Sequence, residues 1–460
     1  VRTERDCFGR EVRKSVRSGG MEKGAYRYQW GIANRLLSKE NELTGTVTRY
    51  DYDRFDFLIR QETMQGSETD VIYRVPDFVG NLFETPDKKD RKYGAGGKLL
   101  EDPDCFYHYD DEGNLVFREF KQLQETGVRF DRKRMEKERG IHFLATGTGW
   151  LYEWSSNGML KKVIRPDGRP VEFRYDALGR RTAKQYFGKV TRWVWDGNVP
   201  IHEWRYKTTE IQPDEKGESF QKEPIENITT WVFEEGTFVP TAKIQEGKQY
   251  SIVSDYLGTP IQMYDEQGKK TWECTLDING KVLAIDKGTE FDCPFRYQGQ
   301  YADEETGLYY NRFRYYSPNK GEYLSQDAFI FHGENPTIYG YVFDTNIEID
   351  IFGLDIHHII PMEVYKDYRN KFKNVKGYKQ SVSVKAKTRT NLIKLDRPFH
   401  GNHPDYNKYV FAKVEELIAQ NKFDLTHISQ LQDHLRTEIG NALNSGESLN
   451  DYFKKLNNKH

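Results

Sequence analysis

One short pattern recurs through the first three quarters of the chain: an aromatic strand end, an aspartate and, two or three residues later, a glycine. The pattern, or part of it, stands at residues 48–53, 107–115, 173–180, 256–259 and 264–268. Alternating aromatic and polar residues favour a strand with one buried face, and Asp and Gly favour the tight turn that follows. Hairpins that each bury one face must stack on their neighbours to be stable. The pattern therefore predicts one long, curled antiparallel β-sheet, with almost no helix before residue 354.

A tyrosine-rich block follows the repeats at residues 295–327. Turn residues interrupt it at Glu305-Thr-Gly-Leu308 and at Pro318-Asn-Lys-Gly321. Between these turns, the stretch from Leu308 to Tyr316 is predicted to be a strand with aromatic residues on both faces, as in a sheet covered on both sides.

The repeats and this block together resemble the YD-repeat (Rhs) family, whose repeats wind into a large β-cage that ends in a core-associated domain. The resemblance covers most of residues 25–354. It implies a multi-domain chain, with a fragment of an all-β YD-repeat shell at residues 1–294 and a core-associated domain at residues 295–354.

The shell region ends in Asp350-Ile-Phe-Gly-Leu354. This resembles the Asp-Pro-x-Gly-Leu signature at which the family cuts itself by aspartyl-protease-like chemistry, with isoleucine where proline is usual. Such a cut needs one ionised carboxylate to deprotonate water and one protonated carboxyl to polarise the carbonyl. The resemblance implies a cut after Leu354 with Asp350 as one acid and Asp327 as its partner, for which Asp344 and Glu334 are rivals. In the alternative, the motif only turns the last strand into a linker.

The composition changes at the same place. From Asp355 onward, 18 Lys and Arg stand against 12 Asp and Glu, a net charge of +6, whereas the preceding residues carry −8. Seven of the eleven histidines also fall in this last part. A basic tail on an acidic body is expected when only the tail approaches a polyanion, although a solvated basic surface would look the same.

The four cysteines are far apart and form no CxxC pair, so neither a disulfide framework nor a zinc ribbon is indicated. The sequence contains no run of about 18 apolar residues, the length that would indicate a membrane span. The first residues resemble neither a signal peptide nor a natural start. We therefore expect the chain to be a fragment whose upstream region carries any targeting information.

Residues 355–460 are predicted to be a small α+β domain. Strand-like segments contain the pair His357-His358 and the residues after Asn391, and Phe399-His-Gly-Asn-His403 precedes an amphipathic helix that starts at Pro404. Two further helices are predicted at residues 425–443 and 448–456. Two strands and a helix that carry these residues form a ββα-metal arrangement.

Adjacent side chains on a strand point to opposite faces, so both histidines of the pair could face one site only across a kink or bulge. With His357 directed to the metal, three imidazoles from His357, His400 and His403 could bind one divalent ion and leave positions open for phosphate and water. His358 then remains free as the general base, since the pKa of imidazole lies near working pH. The Asn391 amide could fix its tautomer.

This order of motifs resembles the AHH-type branch of the HNH nuclease superfamily over about residues 355–415, with isoleucine where alanine usually precedes the histidine pair. The resemblance implies the same roles: His357, His400 and His403 as metal ligands and His358 as base. It implies a metal ion of open identity, namely zinc, magnesium, manganese or nickel. His427 and His434 are interpreted as structural or surface residues.

A basic loop lies beside this predicted centre. It is interpreted as a contact to the nucleic-acid backbone, although a solvated loop is the alternative. Its basic residues are Lys366, Arg369, Lys371, Lys373, Lys376 and Lys379.

The sequence thus predicts a polymorphic bacterial toxin: a YD-repeat shell carrying an HNH-type endonuclease that cuts DNA in a competitor cell. Such a protein would be made in the bacterial cytoplasm, secreted through type VI or other secretion components engaged by its upstream region, and delivered into target cells. A cognate immunity protein is an implied partner. The alternatives are an RNase toxin and a non-catalytic YD-repeat adhesion protein.

Overall fold

The computed structural model describes two compact units, residues 1–326 with 339–353, and residues 327–338 with 354–460. The described residues are 1–125, 127–210, 223–327, 337–351, 353, 357–358, 360, 362–368, 371–372, 374–375, 392–393, 404–445 and 449–458.

The first unit begins with a seven-stranded antiparallel sheet in which each strand pairs with the next along the chain. Its strands are β1 Arg2–Arg5, β2 Glu11–Ser18, β3 Met21–Trp30, β4 Leu36–Asn41, β5 Thr46–Tyr52, β6 Leu58–Gln65 and β7 Glu68–Tyr73. A separate two-stranded piece follows, made of β8 Val75–Pro76 and β9 Leu82–Phe83.

A sixteen-stranded sheet comes next, again in sequence order. Its strands are β10 Lys92–Tyr93, β11 Leu99–Glu101, β12 Cys105–Tyr109, β13 Leu115–Phe120, β14 Gly149–Trp154, β15 Leu160–Ile164, β16 Pro170–Tyr175, β17 Arg181–Tyr186, β18 Lys189–Asp196, β19 Val199–Lys207, β20 Thr229–Phe233, β21 Pro240–Gln245, β22 Lys248–Ser254, β23 Pro260–Asp265, β24 Lys270–Leu276 and β25 Val282–Lys287.

The turns explain the repeated aspartate. In the turn between β16 and β17, Asp176 Oδ1 accepts the backbone N–H of Leu178 at 3.0 Å and of Arg180 at 2.8 Å. Gly179 in the same turn has φ of +73°, a conformation that glycine adopts without strain. Asp265 makes the same pair of bonds to its own turn. The predicted hairpins are confirmed, and the aspartate of the repeat is a turn anchor.

The prediction of one continuous sheet is wrong, because two large sheets are present. The break falls between β7 and β10, where Pro76 and Pro86 stand. Proline has no N–H to donate to a ladder of strands and is confined to sheet edges, strand starts and bulges, which favours a break here. The two sheets still pack together, since Tyr26 and Leu36 of the first share a buried cluster with Val253 and Ile261 of the second.

The prediction of almost no helix in this region missed α1 Arg132–Arg139. Asp131 caps its first turn by accepting the Arg134 N–H, and Gly140 follows its last residue. Only Met135 on this helix is buried. The helix has no apolar stripe, so a search for helical periodicity does not find it.

The tyrosine-rich block packs against the sixteen-stranded sheet. Its four strands form one antiparallel sheet, β26 Tyr301–Ala302, β27 Tyr309–Asn311, β28 Arg314–Ser317 and β29 Glu322–Tyr323. Tyr310 and Tyr315 share one buried cluster with sheet residues from Leu99 on β11 to Cys274 on β24. Sixteen flat strands would extend over about 70 Å at about 4.8 Å each. The sheet must therefore curl around this block, which agrees with the predicted curled sheet.

The predicted strand from Leu308 to Tyr316 is two strands instead. Tyr309 pairs with Tyr316 and Asn311 with Arg314, so the chain reverses at residues 312 and 313. Arg312 adopts φ of +58° in this turn. Aromatic residues on both faces obscured the turn, because no glycine or proline marks it.

The second unit contains strands β30 His357–His358 and β31 Leu392–Ile393 and helices α2 Met362–Asp367, α3 Pro404–Ala419, α4 Leu425–Ser445 and α5 Leu449–Asn457. The three C-terminal helices are confirmed nearly to the residue. Tyr406, Val410 and Val414 of α3 are fully buried against α4 and α5. The predicted basic loop is in part helical, because Lys366 lies in α2.

Among the described residues, we find no helix long and apolar enough to cross a membrane.

Candidate functional site

The last residues of the first unit surround a buried carboxylate. Asp350 is 7% exposed, and its Oδ2 accepts the Tyr323 hydroxyl at 2.7 Å. The Arg314 guanidinium lies 3.3 Å from the same oxygen. Burial, and then the charge of Asp350, raises the pKa of Tyr323 well above its usual range, so the phenol keeps its proton. A cation and a hydroxyl donor on one oxygen favour the ionised carboxylate.

Asp344, one rival for the second acid, is also buried. Its Oδ1 accepts the Asn346 backbone N–H at 2.9 Å. Burial raises the pKa of Asp344 to about 6, and the hydrogen bond and nearby Arg74 only partly oppose this rise. Asp344 is therefore a carboxyl that can hold a proton in mild acid.

The remaining predicted acids belong to the second unit or lie outside the described residues. Asp327 belongs to the second unit, where it is 2% exposed and its N–H donates to the Ile338 carbonyl at 2.7 Å. Glu334 and Leu354 lie outside the described residues. The pairing of Asp350 with Asp327 stays a prediction.

Sequence reasoning missed Arg314 and Tyr323 as neighbours of Asp350. Arg314 lies on β28, 36 residues before Asp350, and Tyr323 lies on β29, 27 residues before it. The available signal was an arginine inside an otherwise aromatic strand, Arg314-Tyr-Tyr316, because a buried cation needs a partner.

The predicted nuclease strands pair with each other. His357 lies opposite Ile393, and His358 lies opposite Leu392, in an antiparallel ladder. Helix α3 then begins at Pro404. The described backbone thus contains the two paired strands and the following helix that the sequence predicted, with the histidine pair on the first strand and the unpredicted helix α2 between the strands.

The remaining predicted site residues are less completely placed. Asn391, His400 and His403 lie outside the described residues, and for His357 and His358 the structure describes the backbone alone. Within the described part of the chain, no group of three or more His, Cys, Asp or Glu could hold a metal ion. The convergence of His357, His400 and His403 stays a prediction.

Of the predicted basic contacts, Lys371 is described and exposed, and Lys366 is placed by its backbone in α2. The remaining four, Arg369, Lys373, Lys376 and Lys379, lie outside the described residues.

The two other histidines of this unit have structural contacts. His427 Nδ1 lies 2.8 Å from the Asp424 carboxylate at the start of α4, and His434 Nε2 lies 3.0 Å from the Tyr409 hydroxyl. Both contacts agree with their interpretation as structural or surface residues.

Two families match the chain. The family described as the teneurin YD-shell matches residues 80–349, which is more than half of the chain. A nuclease family of the HNH/ENDO VII superfamily with conserved AHH matches residues 340–443. The chain therefore belongs to the YD-shell family, and its C-terminal part is a nuclease domain of the AHH type, as the sequence predicted. Nucleases of this superfamily are generally metal-dependent.

Curated relatives include bacterial toxins. Probable deoxyribonuclease RhsA of Dickeya dadantii is 26% identical over 376 residues, which cover 76% of this chain and 24% of the relative. Toxin protein Tse5 of Pseudomonas aeruginosa is 27% identical over 416 residues, covering 78% and 31%. Double-stranded DNA deaminase toxin A of Burkholderia cenocepacia is 28% identical over 346 residues, covering 71% and 22%. The chain thus spans between a fifth and a third of these relatives.

Among solved structures, the TcdB2-TccC3 crystal structure contains a chain 18% identical to this one, with a TM-score of 0.35, covering 76% of this chain and 22% of that chain.

Proposed function

We propose that this chain is the shell and payload of a bacterial toxin whose C-terminal domain is a metal-dependent endonuclease that cuts DNA. The observation that carries the proposal is the AHH match over residues 340–443, on a backbone that has the histidine pair in a strand paired to β31 and followed by α3. Two relatives are named as probable deoxyribonucleases, which favours DNA over RNA as the substrate.

His357, His400 and His403 would hold the metal ion. Three imidazoles are a donor set that fits zinc or nickel better than manganese or magnesium, which prefer oxygen ligands. When bound, such an ion supplies positive charge beside the scissile phosphate and its leaving oxygen.

The remaining site residues would manage a proton and the substrate. His358 would accept the proton of the attacking water, and Asn391 would hold its ring in the tautomer that leaves one nitrogen free. Lys371 and its basic neighbours would contact phosphates, which gives affinity without sequence preference.

The self-cleavage is part of the proposal. The attacking water gives its hydroxyl to the Leu354 carbonyl carbon and a proton to the Asp355 nitrogen, so the peptide bond breaks without any redox change. Asp350, beside Arg314 and the Tyr323 hydroxyl, suits the ionised acid that deprotonates water. Asp327 would be the protonated partner, and the product would be a free nuclease domain.

The biology follows from the chemistry. A cell that makes a DNase in its cytoplasm needs a cognate immunity protein that covers the basic active-site face. Secretion through components engaged by upstream sequence, followed by delivery into a competitor cell, would separate the enzyme from the producer's own DNA.

The test incubates the full chain with plasmid DNA and with RNA, with chelator and after return of zinc, nickel, manganese or magnesium. Cutting of DNA that stops with chelator and returns with metal is the expected result. Cutting of RNA alone would assign an RNase, and no cutting of either with any metal would favour the adhesion protein.

A further inference from the structure

The chain between Asp350 and Gly353 is held by its backbone as well as by the Asp350 side chain. Asn311 Nδ2 donates to the Asp350 carbonyl oxygen at 2.8 Å and to the Tyr323 hydroxyl at 2.7 Å. Tyr323 in turn donates to the Asp350 carboxylate. Asn311 therefore holds the backbone carbonyl of Asp350, and Tyr323 holds its side chain.

A second point of attachment lies three residues further on. Arg314 Nε donates to the Gly353 carbonyl oxygen, and its Nη2 faces the Asp350 carboxylate. Gly353 has φ of +63°, and an added Cβ would lie 2.5 Å from the Asn311 carbonyl oxygen, so only glycine fits here. One arginine thus connects residues 350 and 353.

The residues that hold this segment are themselves rigidly placed. Asn311 and Arg314 face each other across the two-residue turn of β27 and β28, and Asn311, Arg314 and Tyr323 are at most 3% exposed. Side chains this buried exchange rotamers only at a cost in packing. The positions of the two carbonyls are therefore set by the shell.

We propose that Asn311, Arg314 and Tyr323 form a register clamp that fixes the carbonyls of residues 350 and 353 ahead of the proposed cut, and so sets which bond is cut. The clamp also keeps the cut end of the shell in place after the nuclease domain has been freed. The three residues position the substrate segment; the proton transfers belong to the acids. This inference rests on the proposed self-cleavage, whose step adds water across the Leu354–Asp355 bond.

The clamp accounts for a feature of this sequence. Isoleucine stands at position 351, where the related signature has proline, and proline would fix φ near −65° by its ring. The contacts to residues 350 and 353 restrict the segment on both sides of position 351. A clamp made by side chains can thus replace the rigidity that the ring would give.

The test compares Asn311→Ala and Tyr323→Phe with Tyr316→Phe in the full chain. Tyr316 is a matched control, because it lies on the same hairpin, is 1% exposed and its hydroxyl donates to the Asn279 carbonyl at 2.7 Å. The mass of the C-terminal fragment gives the position of the cut, and its rate of appearance gives the speed. Amide exchange in peptides covering residues 347–353 reports the clamp directly, whether or not the chain cuts itself.

We expect one fragment beginning at Asp355 from the parent and from Tyr316→Phe. Asn311→Ala and Tyr323→Phe should cut about tenfold more slowly, as expected for the loss of a hydrogen bond to a charged or buried group, with additional cut positions. Their exchange at residues 347–353 should rise by a similar factor while thermal unfolding stays near that of the Tyr316→Phe control.

Failure of the proposed self-cleavage and failure of the proposed clamp give different results. A parent that stays intact contradicts the self-cleavage, and the clamp is then judged by exchange alone. A parent that cuts, with both variants matching it in position, rate and exchange, overturns the clamp and leaves the self-cleavage standing.

Discussion

Arg181 on β17 donates to the Asp303 carboxylate at 2.5 Å, across 122 residues of sequence, and both side chains are at most 1% exposed. Lys184 lies 3.1 Å from the other oxygen of the same carboxylate. The cations are on the curled sheet and the acid is on the tyrosine-rich block. These contacts fix the block against the inner face of the sheet.

Removal of this carboxylate should be costly, because the buried Arg181 would lose its carboxylate partner and Lys184 would keep only Glu305. Asp303→Ala is expected to lower the free energy of unfolding by about 3–5 kcal/mol, the range for breaking a buried ion pair. Denaturant unfolding of the full chain measures it. Asp167→Ala, which breaks a partly exposed ion pair with Arg165 at 3.5 Å, should cost at most about 1 kcal/mol. A similar small cost for Asp303→Ala would show that this ion pair contributes little to holding the block.

Two buried acids should make the shell more stable in mild acid. Burial raises the pKa of both Asp277 and Asp344 to about 6, whereas an unfolded chain has these groups near about 3.9. The folded state therefore binds more protons between about pH 4 and 6, so the free energy of unfolding falls as pH rises through that window and levels off above it. Each acid contributes at most about 3 kcal/mol to this change.

Asp344→Asn should remove the contribution of Asp344 to the pH dependence of the free energy of unfolding. It should also raise the free energy of unfolding at pH 7. Denaturant unfolding at several pH values is the measurement, and Asp265→Asn, at a more exposed turn, is the control. An unchanged slope in Asp344→Asn would contradict the proposed role of its burial.

The contribution of Lys371 to DNA binding should appear in the salt dependence. Loss of one phosphate contact reduces the slope of log affinity against log salt concentration by about 1. Binding of DNA to Lys371→Ala at several salt concentrations measures this slope. Lys422→Ala, which removes another exposed lysine of the same unit, is expected to keep the parent slope. Equal slopes in both variants would place Lys371 away from the bound DNA.

The metal site gives a prediction separate from catalysis. His357→Ala, His400→Ala and His403→Ala should each lose the bound divalent ion, because two imidazoles hold such an ion less tightly than three. His358→Ala and His427→Ala should retain it. Elemental analysis of the purified full chain gives the metal content, and retention of a full equivalent by His357→Ala would remove that residue from the ligand set.

The parts of the fold that depend on neighbouring residues could be predicted from the sequence. Asp176 and Asp265 anchor turns through bonds to residues two and four positions ahead, so the repeat itself carries the information. The helix at Pro404 was predictable because its buried face recurs at helical spacing. The contact of Arg181 with Asp303 was not, since no local pattern indicates which of many acids meets a given arginine.

The same distinction applies to the sites. The order of His357-His358, Asn391 and His400-x-x-His403 predicted the nuclease family, and the antiparallel pairing of β30 with β31 agrees with it. The neighbours of Asp350 come from 39, 36 and 27 residues earlier in the chain. The sequence motif identified Asp350, whereas the residues that contact it could be identified only from the folded structure.

The most direct test of the nuclease assignment is the rate at which the full chain converts supercoiled plasmid to nicked and linear DNA in the presence of metal. The parent and His427→Ala should cut at equal rates, and chelator should stop both. His358→Ala should cut at least about a hundredfold more slowly, the range expected for loss of a general base, while keeping its metal. Cutting by His358→Ala at the parent rate, or no metal-dependent cutting by the parent, would contradict the account.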